Sequence, residues 1–175
     1  MKRLIIFIIV IVLILLLWRG INMNLIKKGI KTDKLISIHY SNSGDMNGNT
    51  DSTTLDVDKL TITTRYRAIH SDPLEVKEYK ITKKDIDNIT NIINKYKIPE
   101  LSKLEMGDLF AYDAPTKSLT LTYDNSSIGG SSYESYNINY YMKLSTKQKN
   151  QLNELTNYMF TLIKEENKIK EYKEK

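Results

Sequence analysis

Two carboxylates, Asp108 and Asp113, stand five positions apart in Asp108-Leu109-Phe110-Ala111-Tyr112-Asp113-Ala114-Pro115, with Phe110 and Tyr112 between them. Two acids that a loop folds towards one bond could perform general acid–base hydrolysis. The same residues also make an ordinary connection, with the two aromatics packed inward and Asp113 bonding within a turn. That plainer reading is preferred.

The remaining reactive side chains are sparse. There are two histidines. His39 alternates with Ile38 and Tyr40, which points it to the less buried side of a strand, and His70 opens a turn. Their spacings to Asp45, Asp56, Asp58 and Asp72 match no metal signature, so both are expected to be surface or hydrogen-bonded residues. The run Asp45 to Asp56, DMNGNTDSTTLD, starts like a calcium loop. Its sixth position is Thr50 where glycine must turn the chain, and its twelfth is Asp56 where a bidentate glutamate belongs, so calcium binding of that type is not expected. Ser126, Ser127, Ser131 and Ser132 surround Gly129-Gly130 without forming a nucleophile elbow or a phosphate loop. The chain contains no cysteine. That excludes disulfides, thiolate nucleophiles, cysteine-held metals and lipidation at cysteine. No catalytic, metal-binding or cofactor-binding residue is assigned, and no cofactor is expected.

The strongest signal lies elsewhere. Leu4, Ile5, Ile6, Phe7, Ile8, Ile9, Val10, Ile11, Val12, Leu13, Ile14, Leu15, Leu16, Leu17 and Trp18 form an unbroken apolar run. As a helix it spans about 22 Å, against a hydrocarbon core of about 30 Å. Gly20 and Ile21 can lengthen it, Arg19 can snorkel, and Trp18 suits the interface. Lys2 and Arg3 resemble the basic start of an export signal, but no small-x-small cleavage pair comes after the run. An uncleaved, membrane-spanning signal anchor over residues 1–21 is expected, with residues 22–33 as a stalk.

Orientation has two opposing indications. Arg19, Lys27, Lys28, Lys31 and Lys34 come after the span and outnumber Lys2 and Arg3 before it, which would hold the domain in the cytoplasm. The basic start and short apolar core look like an export signal and place it outside. The extracytoplasmic orientation is preferred. Residues 1–34 carry a net +6, so the rest of the chain sums to −1 against a total of +5. A nearly neutral domain lacks the basic field that steers phosphate backbones, and no nucleic-acid partner is expected.

Residues 34–165 read as one α+β domain, an antiparallel sheet of about five or six strands with two helices packed on one face. Ile36, Ile38 and Tyr40 alternate on a first strand. Residues 41–52 are a loop dense in Asn, Ser, Gly and Asp. Residues 53–57 and 60–69 are strands joined by a turn at Asp58-Lys59. Residues 74–81 alternate imperfectly, like an edge strand. Thr82 with Asp85 caps a helix carrying Ile86, Ile89, Ile93 and Tyr96, with Ile92 widening the stripe, and Pro99 ends it. After an irregular connection over 100–116, residues 117–124 and a tyrosine-rich stretch, 133–144, are strands. Tyr136 and Tyr140 share one face there, as cross-strand packing or as an exposed platform for a partner, and packing is preferred. Ser145 with Gln148 caps a second helix carrying Leu152, Leu155, Met159 and Leu162. Residues 166–175 are a charged tail expected to fray.

The two helical units echo each other. Ile89/Leu152 and Ile92/Leu155 keep an offset of 63, and Leu60-Thr61-Ile62-Thr63 resembles Leu119-Thr120-Leu121-Thr122. Duplication of a hairpin-then-helix unit and chance similarity of two capped helices both account for this.

Several segments resemble an uncharacterised family of small signal-anchored or exported bacterial domains. They are Tyr40-Ser41 with Gly44-x-Met46-x-Gly48 after it, then Lys77-Glu78-Tyr79, Lys95-Tyr96, and Leu109-Phe110-Ala111-x-Asp113-Ala114-Pro115-Thr116-x-Ser118. The resemblance covers residues 36–163 in outline, although Asp45 and an Asn-rich loop replace a more glycine-rich run. It implies a domain boundary and a location and no mechanism. The expected function is therefore a non-enzymatic, membrane-anchored module that binds an envelope partner. Its candidate surfaces are the 41–52 loop, the 107–116 loop and the tyrosine-rich strand. The alternatives are an envelope-polymer hydrolase using Asp108 and Asp113, and a cytoplasm-facing regulator.

Overall fold

A computed structural model describes residues 34–43, 48–107, 116–125 and 132–174. The expected anchor and stalk, Asp45, Met46, residues 108–115 and Gly129-Gly130 lie outside the described residues. Among the described residues no helix is long and apolar enough to cross a membrane.

The described chain forms an antiparallel sheet of seven strands and two helices, an α+β fold. The strands are β1 (Lys34–Ser43), β2 (Thr50–Asp56), β3 (Thr61–Arg67), β4 (Leu74–Lys80), β5 (Thr116–Asp124), β6 (Tyr133–Asn139) and β7 (Lys168–Glu174). The helices are α1 (Lys83–Tyr96) and α2 (Thr146–Thr161). A short 3-10 segment, Ile98–Lys103, comes directly after α1. The sheet order is β6-β5-β1-β2-β3-β4-β7.

One row of side chains crosses the sheet. The registers place Tyr136, Leu121, Ile38, Leu55, Ile62 and Tyr79 side by side on six neighbouring strands. A side-chain period of two puts them all on one face. Ile38, Leu55, Ile62 and Leu121 are fully buried, packed with Ile89 and Ile93 of α1 and Leu152, Leu155 and Met159 of α2. Both helices therefore cover that face.

Each helix is started by the reciprocal cap expected from its sequence. Thr82 accepts from the Asp85 N–H, and Asp85 accepts in return from the Thr82 N–H (2.9 Å). Ser145 and Gln148 repeat the arrangement. Lys97, in the left-handed conformation at φ 50°, closes α1 just before Pro99. Polar contacts then join the helices: Asn88 donates to the Tyr158 hydroxyl (2.7 Å), and the Tyr96 hydroxyl donates to Glu154 (2.6 Å).

The row reads outward from the β1–β2 seam as Ile38-Leu121-Tyr136 in one direction and Leu55-Ile62-Tyr79 in the other. A two-fold axis through that seam would exchange β1 with β2, β5 with β3 and β6 with β4. Each hairpin leads into a capped helix on the same face. Ile62 and Leu121 are equivalent at an offset of 59, as the matching LTIT and LTLT stretches imply. The helix caps Thr82 and Ser145 differ by 63 because the turn at Tyr140 and Tyr141 lengthens the second connection.

Three expectations need correction. The residue beneath the helices near the start of β1 is Leu35, not Ile36. A bulge between Leu35 and Ser37 makes Ile36 the extra residue, which reverses the alternation there. The sheet has seven strands rather than five or six, because the charged tail does not fray: it forms β7 against β4, which is thus an interior strand. The physical reason is cross-strand charge matching. Glu75 faces Lys173, Lys77 faces Glu171 and Glu78 faces Lys170, while Tyr172 lies opposite the buried Val76. Finally, the tyrosine-rich strand ends at Asn139, after which Glu105 to Gly107 bond to Tyr141 and Lys143.

Ile38→Ala should cost about 2–5 kcal/mol, since it empties the middle of a fully packed row. Ile36→Ala should cost distinctly less. Urea unfolding of the two variants measures the difference, and equal losses would contradict the bulge.

Candidate functional site

β1 and β5 meet at one end of the sheet, where Ser43 pairs with Thr116, and β2 starts beside them; residues 41–43 and 50–52, expected to be loop, belong to the strands, with Ser41 paired to Ser52. The β3–β4 connection reaches the same end. Gly48, at φ +69°, packs against it, and a Cβ there would lie 3.1 Å from the His70 Cβ. Positive φ and close approach together account for glycine at this position. His70 thus serves as the wall for a neighbouring loop, with its surface otherwise exposed.

Beside this junction is a cleft of about 180 Å3 lined by Tyr66, Arg67, Ala68, Asp72, Pro73, Glu75 and Lys173. Lys173 and Glu75 pair across it at 3.0 Å. Arg67 donates to the Thr50 hydroxyl (3.3 Å) and has no carboxylate partner among the described residues. The cleft is smaller than the several hundred Å3 of ordinary small-molecule sites. Its acids, Asp72 and Glu75, have no nucleophile or histidine beside them in the lining. Arg65 and Arg67 emerge on the same face of β3, the one opposite the helices. No local motif singles them out, although the Arg-x-Arg spacing within LTITTRYR signals a shared face.

His39 lies on that same helix-free face, opposite Thr54 and Thr120. Its Nδ1 shares a hydrogen bond with the Thr54 hydroxyl (2.9 Å). Burial first, and the Arg65 charge second, hold its pKa below the ordinary histidine value. It is a half-buried, hydrogen-bonded histidine, as expected. At the opposite end of the sheet, Asp56 accepts from Lys59 (2.8 Å) within the β2–β3 turn, and Asp58 accepts from Lys34 (2.6 Å), tying that turn to the start of β1. Among the described residues no group of three or more His, Asp or Glu side chains stands where it could hold a metal ion. Asp45, Asp108 and Asp113 lie outside the described residues.

Tyr40, Tyr123, Tyr136 and Tyr140 lie on the helix-covered side and pack against the core. Tyr136 meets Tyr123 edge-on at 5.7 Å, and Tyr40 meets both Tyr140 (6.4 Å) and Phe160 (5.4 Å) in the same way. Burial raises the pKa of the Tyr40 and Tyr140 hydroxyls. The Tyr140 hydroxyl has no well-aligned partner; nearby Thr156 already donates to the Leu152 and Asn153 carbonyls. These rings are packing elements. Tyr133, by contrast, is 69% exposed on edge strand β6.

No family model matches the chain, and a search of curated proteins finds no relative.

His39 makes stability depend on pH. The unfolded chain takes up a proton near pH 6.5, whereas the folded chain resists it. This contribution is complete above that pH and is lost as pH falls towards the folded-state pKa. His39→Asn should flatten the stability profile as pH falls below about 6.5. Chemical denaturation across that range measures it, and an unchanged slope would exclude the effect.

Proposed function

We propose that the protein is a single-pass, membrane-anchored module whose α+β domain lies outside the cytoplasm and binds a partner at the cell envelope without catalysis. The observation that carries this reading is the apolar run Leu4–Trp18, with Lys2 and Arg3 before it and no cleavage motif after it. A helix of fifteen large apolar residues has no polar face to show water, so it partitions into lipid and tethers the domain C-terminal to it. The near-neutral domain supports a protein or envelope partner over nucleic acid. The family resemblance of residues 36–163 supports the same location.

The experiment is protease treatment of intact cells from which the wall has been removed. The domain should be digested before lysis, leaving a membrane-protected fragment that contains Leu4–Trp18. Protection until the cells are lysed would instead establish the cytoplasm-facing orientation. Recovery of the chain in a soluble fraction without detergent would remove the anchor altogether.

A further inference from the structure

The two edges of the sheet differ in chemistry. β7, with the sequence KIKEYKE, presents charges along its length, the usual means of keeping an edge from pairing with another chain. β6, with the sequence YESYNIN, has one charged residue, no proline and no bulge over seven residues. Its length is that of an ordinary strand rather than a shortened, protected edge.

The backbone of β6 shows what it lacks. Tyr140 donates to the Lys117 carbonyl, and Asn125 donates to the Ser132 carbonyl, at the two ends of the β5–β6 ladder. The even-numbered residues of β6 therefore bond inward to β5. Tyr133, Ser135 and Asn137 direct their N–H and C=O groups outward, where the described residues provide no backbone partner. All three are exposed. Asn139, next in the series, is already used: its carbonyl accepts from Met142 and its side chain from Tyr141.

We propose that β6 is a homodimerisation edge whose partner is the β6 strand of a second copy of this chain, antiparallel and in one defined register. That register sets Ser135 opposite Ser135 across a two-fold axis, with Tyr133 opposite Asn137. It is the antiparallel self-pairing that satisfies all three outward residues of both copies. It also sets Glu134 against Tyr136 of the other copy, so the strand's carboxylates avoid each other. Two seven-stranded sheets become one continuous sheet. The interface is isologous and closes, leaving the charged β7 edges outermost. This pairing goes beyond the proposed function and does not depend on the membrane anchor.

The chain has no cysteine, so a single introduced thiol reports contacts between copies alone. Residues facing each other in a hydrogen-bonded antiparallel pair have Cα atoms about 5.5 Å apart, within disulfide range. The full chain carrying Ser135→Cys is purified in detergent and oxidised with copper–phenanthroline beside a Lys170→Cys control on β7. Ser135→Cys should run as a disulfide-linked dimer and Lys170→Cys as a monomer. Sedimentation of the unmodified chain should show a concentration-dependent dimer. That dimer should be lost in Ser135→Lys, which opposes two cations, and in Ser135→Pro, which removes an outward N–H and no bond to β5 from the backbone. At a dilution where the wild-type chain is monomeric, the thermal midpoint of Ser135→Lys should match the wild-type value, which separates lost pairing from lost folding. Equal cross-linking at both positions, a dimer that survives Ser135→Lys, or a chain that stays monomeric would overturn the proposal. The last result would leave the edge for a strand of another protein.

Discussion

Burial of one row of side chains under two helices organises the domain. Each helix has a single apolar stripe, and six adjacent strands present Tyr136, Leu121, Ile38, Leu55, Ile62 and Tyr79 to it. A slip of one residue in any strand would turn its apolar side chain away from the helices and put a polar or charged one beneath them, such as His39 in β1, Thr63 in β3 or Glu78 in β4. Burial of this row therefore sets strand register. It also leaves the other face to His39, Arg65, Arg67 and a field of hydroxyls. The bulge at Ile36 shows the constraint acting. The chain inserts an extra residue and disturbs one ladder so that Leu35 can still enter the core.

The same row explains the arrangement of the edges. Its near-symmetry about the β1–β2 seam makes β4 and β6 equivalent, each the outer strand of a hairpin that precedes a capped helix. β4 is then covered by β7, and β6 is not. The two equivalent positions thus end up chemically different. One is paired through alternating Glu and Lys contacts and Tyr172 over Val76, and the other exposes backbone donors and acceptors. Exposed ion pairs add little energy individually. In β7 they act together with a full ladder, and their main effect is to select β4 as the strand the tail joins.

Much of this is legible in the sequence. The capping pairs Thr82/Asp85 and Ser145/Gln148, the stripe Ile86-Ile89-Ile93 and the alternation in LTIT and LTLT are local patterns, and local hydrogen bonding and periodicity decide them. The role of His39 comes from alternation alone. β7 is hidden because a run of lysines and glutamates looks solvated until its complement, LEVKEYK, is placed beside it. The extra residue in β1 is invisible because a bulge answers to a partner strand. The meeting of Gly48 with His70 also joins loops far apart in sequence, and no local pattern announces it.

By itself, the sequence determined two capped amphipathic helices, a set of alternating strands and the absence of thiol chemistry, because each rests on neighbours within a few residues. Tertiary structure decided which strands lie inside the sheet, which residue of β1 enters the core, that a charged tail becomes a strand, and that one edge keeps its hydrogen-bonding groups. Those outcomes depend on pairing between segments up to a hundred residues apart, where a backbone group or a charge acquires meaning only from what faces it.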